Sequence, residues 1–256
     1  MDSSLKDIVI DLDLDLRTAD IPDYPQALNG LQLENRSGEV GRVFAAVDAS
    51  LPVIEKCLAA DGEGPALLLV HHGLFWSGAQ RHVAASFRKL ELAMAGELAI
   101  YSSHIPLDVH PVWGNNAQLA KEIGLLGAEP FFDWKGIQLG LRGEFHGSRE
   151  DLQNKVASAV GGPVHLCPGG DEQAGSVGVI TGGAGSEVQA IRDTGIDSFV
   201  TGEGPHWSFP MAEEIGLNVL YGGHYATETF GVKALGEHLK ESRGLPWQFI
   251  DHPTGL

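Results

Sequence analysis

The sequence predicts an α/β protein with largely parallel or mixed sheets. Short apolar runs of strand length alternate with segments of helical periodicity along the chain, which is the pattern of strand–helix units. Residues that favour turns, mainly glycine, proline, asparagine and serine, separate these segments. The 256 residues are enough for one large domain or two small domains with a real core.

The first half of the chain begins with a helix and continues as strand–helix units. Leu5, Ile8 and Leu12 have helical spacing and predict a helix over residues 4–16, and Asn29-Gly30 predicts a turn. Strands are also predicted over residues 31–33, 42–47, 65–70 and 99–103. A helix is predicted to begin after the N-cap Ser50, with Pro52 in its first turn, and two further helices are predicted over residues 81–96 and 115–124.

The second half returns to the same alternation after residue 125. Ser148 to Asp151 resembles a capping box that opens a helix reaching about residue 160. The other predicted elements are strands over 137–144, 164–167, 177–181, 198–201, 217–221 and 247–250, and helices after Ser186, over 209–215 and over 226–243.

The composition excludes several classes of protein. A net charge of −17 repels phosphate backbones, so we expect no general nucleic-acid binding. No run approaches 18 apolar residues, and the N-terminus lacks the pattern of a signal peptide, so we expect neither a membrane span nor export. Cys57 and Cys167 are the 2 cysteines, which favours a reduced cytoplasmic protein over a disulfide framework.

Metal-ligand residues follow three of the predicted strands. His71 and His72 end the apolar run Leu67–Val70, His104 and Asp108 follow the next strand, and His224 and Glu228 follow a strand near the end of the chain. The carboxyl ends of strands in an open α/β sheet share one edge, where ligands bind. Histidines and carboxylates that recur at such positions predict a metal site.

The spacing within each pair leaves the geometry partly open. His224 and Glu228 lie four apart at a helix start, so they project from one face, and either they share one ion or Glu228 bridges two. Pro106 disfavours helix at the residue before it, which predicts a loop for His104 and Asp108. His71 and His72 point to opposite sides in extended chain, unless Gly73 allows a twist that aims them together.

The predicted donors are three or four histidines with two carboxylates. This set suits two borderline cations, Zn²⁺, Fe²⁺, Mn²⁺ or Co²⁺, and it is too rich in nitrogen for Mg²⁺ or Ca²⁺. Sites with two such ions typically activate a water for hydrolysis. The residues therefore favour a hydrolytic metal enzyme.

Other features near the predicted strand ends are open to two interpretations. The Gly182–Ser186 segment is either an anion cradle or a tight turn. Glu203 and His206 are either acid–base residues or an ordinary helix-entry acid and surface histidine. Phe75, Trp76 and Trp113 either stack on a flat substrate or serve packing.

These residues also carry a resemblance to a known family, the Nif-three-like dinuclear-metal-centre proteins, which include GTP cyclohydrolase 1 type 2 homologues. Nearly the whole chain is similar to this family. The matching segments are Asn29-Gly30-Leu31-Gln32, Val47-Asp48-Ala49-Ser50, Leu69–Trp76, Ser103–Asp108 with Asn115-Asn116-Ala117, Thr201-Gly202-Glu203, and Gly223–Glu228 with Gly231–Leu235.

The resemblance implies a metal site, a fold and an assembly. Its dinuclear ligands fall on His71, His72, Asp108, His224 and Glu228, with His104 nearby as a ligand or as a residue that orients one. It implies two similar α/β halves packed in one compact unit, with the metal site at strand ends between them, and a ring-shaped hexamer. We expect one half over about 1–125 with 217–256, the other over 126–216, and no inserted domain.

Two hypotheses on function follow from the residues and the resemblance. The first is a metal-dependent hydrolase of a small nucleotide-like or phosphoester substrate, in which Glu203 or His104 moves protons and Trp76 or Trp113 contacts the substrate. The electrophile is an imidazole-ring carbon of a purine in cyclohydrolase chemistry, or phosphorus in phosphoester chemistry. The second is a non-catalytic metal-binding scaffold or regulatory partner protein.

Overall fold

The computed structural model describes residues 3–78 and 80–256, and it confirms a mixed α/β architecture. The elements up to residue 122 are β1 (Ser3–Ser4), α1 (Leu5–Asp15), β2 (Gly30–Leu33), β3 (Glu39–Val40), β4 (Arg42–Asp48), α2 (Leu51–Ala59), β5 (Ala66–His72), α3 (Ala85–Ala95), β6 (Leu98–Ser102), α4 (Ile105–Asp108) and α5 (Asn115–Glu122). The later elements are β7 (Leu126–Trp134), β8 (Ile137–Ser148), α6 (Arg149–Val160), β9 (His165–Pro168), β10 (Gln173–Val179), a 3₁₀ helix (Ala184–Glu187), α7 (Val188–Asp193), β11 (Ser198–Thr201), α8 (Ser208–Ile215), β12 (Asn218–Tyr221), α9 (His224–Thr227), α10 (Thr229–Arg243) and β13 (Trp247–Phe249).

The chain forms two compact units. The first unit contains the described residues up to Leu107 together with Gly231–His252, and the second contains Asp108–Phe230 with Pro253–Leu256. The predicted halves, 1–125 with 217–256 and 126–216, have different bounds from these units and stay a prediction of the family resemblance.

The first unit is built on a sheet with the strand order β13-β4-β5-β6-β2. The strands β13, β4, β5 and β6 are parallel, and β2 is antiparallel at the edge. The central strands are buried on both faces, which explains their nearly continuous apolar runs. As predicted, Ser50 caps α2 with Pro52 in its first turn, and the helix buries Ile54 and Cys57 in the core.

The second unit is built on a sheet with the strand order β7-β8-β10-β11-β12-β9. The central strands β10, β11 and β12 are parallel, whereas β8, β7 and β9 add antiparallel edges. The parallel strands lead into Thr181-Gly182, Gly202-Glu203 and Gly223-His224. Each sheet therefore has a parallel centre whose carboxyl ends carry the residues that the sequence singled out.

Two local predictions near the proposed ligands are wrong. Ile105–Asp108 forms a short helix rather than a loop, because Pro106 lies in its first turn, where no backbone N–H needs an intrahelical acceptor. The helix predicted over 226–243 is interrupted at Glu228, which has φ −104° and ψ 5°. The Glu228 N–H donates to the carbonyl of Tyr225 at 3.2 Å, so the chain tightens there before α10 begins.

Strand β7 has no counterpart among the predicted elements. It is an edge strand with an exposed N-terminal half, so its apolar residues do not alternate along a buried face. Pro130 lies within it and cannot donate to a ladder, which a position at a sheet edge tolerates. The strand is stabilised by pairing with β8 rather than by a pattern that its own sequence shows.

The capping box of α6 provides a stability prediction. The Ser148 hydroxyl accepts from the Asp151 N–H at 3.0 Å, and the Asp151 carboxylate accepts from the Ser148 N–H at 3.0 Å. We expect Ser148→Ala to lower the free energy of unfolding by about 1 kcal/mol. Urea unfolding followed by circular dichroism measures this, with the exposed Ser186→Ala as control. Equal unfolding midpoints for the two variants would show that the box contributes nothing.

Candidate metal centre

Three histidines converge at the carboxyl edge of the sheet in the first unit. His71 and His72 end β5, and His104 follows β6. One ring nitrogen of each can be chosen so that the three lie within 4.8 Å of one another. The ring centroids of His71 and His72 are 4.9 Å apart, and those of His71 and His104 are 4.8 Å apart. We call these residues the histidine triad.

Each imidazole of the triad is oriented by a hydrogen bond at Nδ1. The pairs are His71 Nδ1 with the Ser103 carbonyl at 3.0 Å, His72 Nδ1 with Asp48 Oδ1 at 2.9 Å, and His104 Nδ1 with Asp23 Oδ1 at 2.8 Å. Carbonyl and ionised carboxylate oxygens only accept, so Nδ1 carries the proton in every pair. In a neutral ring the lone pair is then on Nε2, which is the arrangement of a metal-ligating histidine.

Asp23 holds His104 through a dense set of hydrogen bonds. Its carboxylate also accepts from the Asn29 amide at 2.8 Å and from the backbone N–H of Tyr24 and Ile105. Burial raises the pKa of Asp23, but the hydrogen bond and charge of His104, with the further donors, hold that pKa below its usual value. Asn29 Oδ1 in turn accepts from the His104 N–H at 2.7 Å. His104 is therefore fixed at both its backbone and its ring.

Gly73 packs closely against the Gln32 side chain and does not have the positive φ that favours glycine. A Cβ atom at this position would lie 2.3 Å from the amide of Gln32, whose oxygen accepts from the Leu74 N–H at 2.6 Å. The sequence allowed the side chains of His71 and His72 to point to opposite sides or to be aimed together. In the structure the two rings lie side by side.

His224 and Glu228 form a pair in the second unit. His224 Nε2 lies 3.2 Å from Glu228 Oε2, and His224 Nδ1 lies 2.9 Å from Glu203 Oε1. Glu228 is 3% exposed. Burial lowers the pKa of His224, but the hydrogen bonds and charges of Glu228 and Glu203 outweigh it and raise the pKa to about 9. Glu203 thus orients His224 as the acceptors of the first unit orient the triad.

Asp108 is buried at the end of α4 in the second unit. Its Oδ1 accepts from the Asn115 amide at 2.8 Å and from the Thr181 hydroxyl at 3.4 Å. Asn116 accepts from the Thr181 N–H at 2.9 Å, which holds Thr181 against this carboxylate. A buried carboxylate with polar neighbours suits a metal ligand, since its charge needs compensation.

The glycine-rich segment after β10 serves close packing against Glu228. Gly182 has φ +71°, and a Cβ there would lie 2.2 Å from Glu228 Oε1. The Gly182 N–H donates to Thr227, and the Gly185 N–H donates to the carbonyl of Glu203. These two donors are used within the fold, which favours the tight-turn interpretation over an anion cradle.

The Gly182→Ala substitution tests this packing. The new methyl group would collide with the Glu228 carboxylate, and alanine would be strained at positive φ. We expect a loss of metal affinity of at least about tenfold, since Glu228 would be displaced. Calorimetric titration with Zn²⁺ measures the affinity. Gly195→Ala is the control, because it adds the same strain at φ +86° with no atom within 4 Å. Equal affinities in both variants would contradict the proposed role of Gly182.

The two tryptophans predicted to contact a substrate have different surroundings. Trp76 is 39% exposed, and its ring centroid lies 4.6 Å from that of His104 and 5.1 Å from that of His72. Trp113 stacks on His110 at 4.3 Å with the planes 9° apart. Trp76 therefore borders the histidine triad, whereas Trp113 has a structural neighbour in its own unit.

The orienting residues are what reasoning from the sequence missed. Asp48 and Asn29 lie in segments that resemble the family, but no role was predicted for either. The missed acceptors and donors around the predicted ligands are Asp23, Asn29, Asp48, Ser103, Asn115, Asn116 and Thr181. A polar residue at the end of β4 was a usable signal for Asp48, since the end of a neighbouring strand already carried the histidines.

Neither cysteine is suited to nucleophilic chemistry. Cys57 and Cys167 are buried thiols. Burial raises the pKa of Cys57 to about 12 and that of Cys167 to about 11, so the reactive thiolate is scarce at neutral pH.

Among the described residues, no helix is both long and apolar enough to cross a membrane.

Two curated proteins are similar to this chain over most of its length. A curated protein of Deinococcus radiodurans named GTP cyclohydrolase 1 type 2 homolog is 37% identical over 236 residues, covering 91% of this chain and 88% of its own length. A Pyrococcus abyssi protein of the same name is 37% identical over 254 residues, covering 98% of this chain and 99% of its own length.

Solved structures share the fold over nearly the full chain. TTHA1606 from Thermus thermophilus has a TM-score of 0.88 with 39% identity, and the alignment covers 99% of this chain and 100% of that one. Reduced HcgD from Methanocaldococcus jannaschii has a TM-score of 0.83 with 25% identity, covering 98% and 99%. The family model described as Duf34/NIF3 (NGG1p interacting factor 3) matches residues 14–254. With a match over most of its length and relatives of this similarity, the chain belongs to the DUF34/NIF3 family.

Proposed function

We propose that the protein is a metal-dependent hydrolase of a small nucleotide-like or phosphoester substrate, and that His71, His72, Asp108, His224 and Glu228 hold two divalent ions. One observation carries the proposal. Every histidine of the triad, and His224 as well, donates from Nδ1 to an oxygen acceptor. With Nδ1 held by an oxygen acceptor in all four rings, Nε2 is the ring atom left to coordinate an ion or, in His104, to take part in proton transfer, and core packing alone does not require this repeated arrangement.

The donor set fits the expected metals. Imidazole nitrogen with carboxylate oxygen suits Zn²⁺, Fe²⁺, Mn²⁺ or Co²⁺. Asp48 and Glu203 place carboxylates on the far ring nitrogens of His72 and His224, and this raises the basicity of the coordinating nitrogen. Two divalent ions, when bound, supply Lewis-acid activation of water and of the substrate.

The remaining side chains have supporting roles in this proposal. The Nδ1 of His104 donates to Asp23, which leaves Nε2 of the same ring for a role in proton transfer. Glu203 orients His224, and it is the other candidate for proton transfer. Trp76 presents an exposed ring beside His72 and His104, where it can contact a flat substrate. Trp113 is the weaker substrate contact, since it stacks on His110.

The reaction is one of two hydrolytic types. In cyclohydrolase chemistry, water adds to the imidazole-ring carbon of a purine, and in phosphoester chemistry it adds to phosphorus. The names of the curated relatives support the cyclohydrolase reaction.

We also propose a cytoplasmic location, in keeping with the two buried thiols. The family resemblance implies a homo-oligomeric, hexameric assembly, which we propose as well.

Metal removal tests the proposed function. We expect the metal-loaded protein to hydrolyse at least one member of a panel of nucleotides and phosphoesters. We expect activity to fall to background after chelation and to return when Zn²⁺, Mn²⁺, Fe²⁺ or Co²⁺ is added, because water activation requires the ions. Activity that survives complete removal of metal, verified by elemental analysis, would refute a metal-dependent hydrolase.

The alternative is a metal-binding scaffold or regulatory partner protein. The description of the matching family names an interaction rather than a reaction, which supports this alternative. A scaffold predicts that the protein retains metal but turns over no member of the panel under any metal. The same experiment therefore separates the two functions.

A further inference from the structure

A cavity in the second unit combines aromatic walls with one carboxylate. It has a volume of about 520 Å³, and the side chains that matter for its chemistry are His165, Glu203, His206, Phe209 and Tyr221. We call it the aromatic cavity. Its volume falls in the range of about 300–1,000 Å³ that is typical of sites for small molecules.

The aromatic cavity lies at the carboxyl ends of parallel strands. Glu203 follows β11, and Tyr221 is the last residue of β12. His165 begins the edge strand β9 and pairs with Tyr221 in the sheet. Small ligands of α/β proteins bind at this edge, because loops that leave the strands there form a crevice. The position therefore favours a ligand site over an incidental surface hollow.

The aromatic rings form a polarisable wall of this cavity. The His165 ring centroid lies 5.5 Å from that of Phe209 and 6.3 Å from that of Tyr221, with the His165 and Tyr221 planes 28° apart. The Ser208 hydroxyl donates to the Pro205 carbonyl at 2.6 Å, so the Tyr221 hydroxyl donates to Ser208 Oγ at 2.6 Å. Burial raises the pKa of Tyr221, and its phenol stays neutral. Such a wall suits a flat, uncharged ring.

Glu203 adds a hydrogen-bond acceptor to this wall. Its side chain is 44% exposed, and Oε1 accepts from His224 Nδ1 at 2.9 Å. A carboxylate has several acceptor positions, so Glu203 can also accept from a ligand N–H. The same negative charge repels phosphate. The cavity thus selects for a ring with N–H groups and against a phosphate group.

We propose that the aromatic cavity binds a planar nitrogen heterocycle with an N–H or amino donor, its ring against His165 and Phe209 and its donor on Glu203. The idea that this cavity holds the ring of the hydrolase substrate rests on the proposed function. The binding of a ring does not depend on that function, because every residue involved belongs to one unit and the contacts need no metal.

Fluorescence titration of the metal-free protein with 2-aminopurine riboside tests the proposal. Stacking on aromatic side chains quenches this probe, and its amino group can donate to Glu203. We expect saturable quenching with the wild-type protein and an affinity about three- to tenfold lower for His165→Ala, since one ring contact is lost. Purine riboside, which lacks the amino group, should displace the probe more weakly than 2,6-diaminopurine riboside, which has it.

His146→Ala is the matched control, because His146 is also an exposed histidine on a strand of the same sheet and lies outside the cavity. Circular dichroism checks the fold of each variant, and Phe209→Leu provides a second test of the ring contact. The proposal is overturned if the wild-type protein does not quench the probe. It is also overturned if His146→Ala and His165→Ala lose equal affinity, or if Trp76→Ala alone abolishes binding.

The two proposals can fail separately. Probe binding that depends on His165, in a protein that retains no metal, would leave the aromatic cavity and remove the hydrolase. Metal-dependent hydrolysis with no binding of the probe would leave the hydrolase and remove the aromatic cavity.

Discussion

The His72→Ala variant should lose metal and hydrolytic activity together. His72 lies in the histidine triad, where Asp48 fixes its Nδ1 and directs Nε2 to coordination. No neighbouring side chain in β5 can take over, because His71 already has its own place in the triad. We expect metal content per chain to fall by at least half and turnover to drop by more than about a hundredfold, beyond the effect typical of an orienting residue.

Elemental analysis after dialysis and the substrate panel measure these two effects on the same preparation. His146→Ala removes an exposed histidine from β8 and should leave metal content and turnover unchanged. Full turnover by a metal-free His72→Ala protein would contradict the proposed mechanism. A variant that keeps its metal but loses turnover would contradict the assignment of His72 as a metal ligand.

The second large effect is expected for Glu228→Gln. Glu228 is 3% exposed, and its Oε2 lies 3.2 Å from His224 Nε2. Because packing already holds this carboxylate in place, binding a shared ion costs little side-chain entropy. The amide keeps the size but loses the negative charge and one strong acceptor. We expect Zn²⁺ affinity to fall by more than the roughly 10- to 100-fold that is typical of losing an orienting partner.

Glu203→Gln is the comparison for this variant, because Glu203 contacts the other nitrogen of the same imidazole. It should lose about 10- to 100-fold in Zn²⁺ affinity, as an orienting partner does. Competition titration with a chromophoric chelator measures both variants. A Glu203→Gln protein that binds Zn²⁺ more weakly than Glu228→Gln would reverse the roles assigned to the two carboxylates.

Periodicity predicted the elements that bury an apolar face. The strand over 198–201 has the predicted bounds, and the capping box at Ser148 opens α6 as expected. The failures occur where local backbone geometry or pairing at a sheet edge, rather than apolar periodicity, determines the structure. The tightened turn at Glu228 interrupts one predicted helix, Pro106 is tolerated in the first turn of α4, and β7 is exposed at an edge.

The predicted ligand residues were accessible to sequence reasoning because strand ends concentrate them. His71, His72 and His104 converge within one unit, and His224 and Glu228 form a pair within the other. Apart from Asp48, which lies at the end of a neighbouring strand, most of their orienting partners were not accessible, because those hydrogen bonds join residues whose proximity the sequence does not show. His104 and Asp23 are 81 positions apart, and Thr181 and Asp108 are 73 apart. Only the fold shows which acceptor meets which imidazole.

The central claim is that this chain holds divalent metal through imidazoles whose Nδ1 atoms are fixed by oxygen acceptors. Elemental analysis of the purified, reconstituted protein after exhaustive dialysis tests it most directly. The account predicts about two ions of Zn, Fe, Mn or Co per chain, as in a two-metal site, and a reduced number for His72→Ala. A wild-type protein that retains no divalent metal, or a His72→Ala variant that retains as much as the wild type, would contradict it.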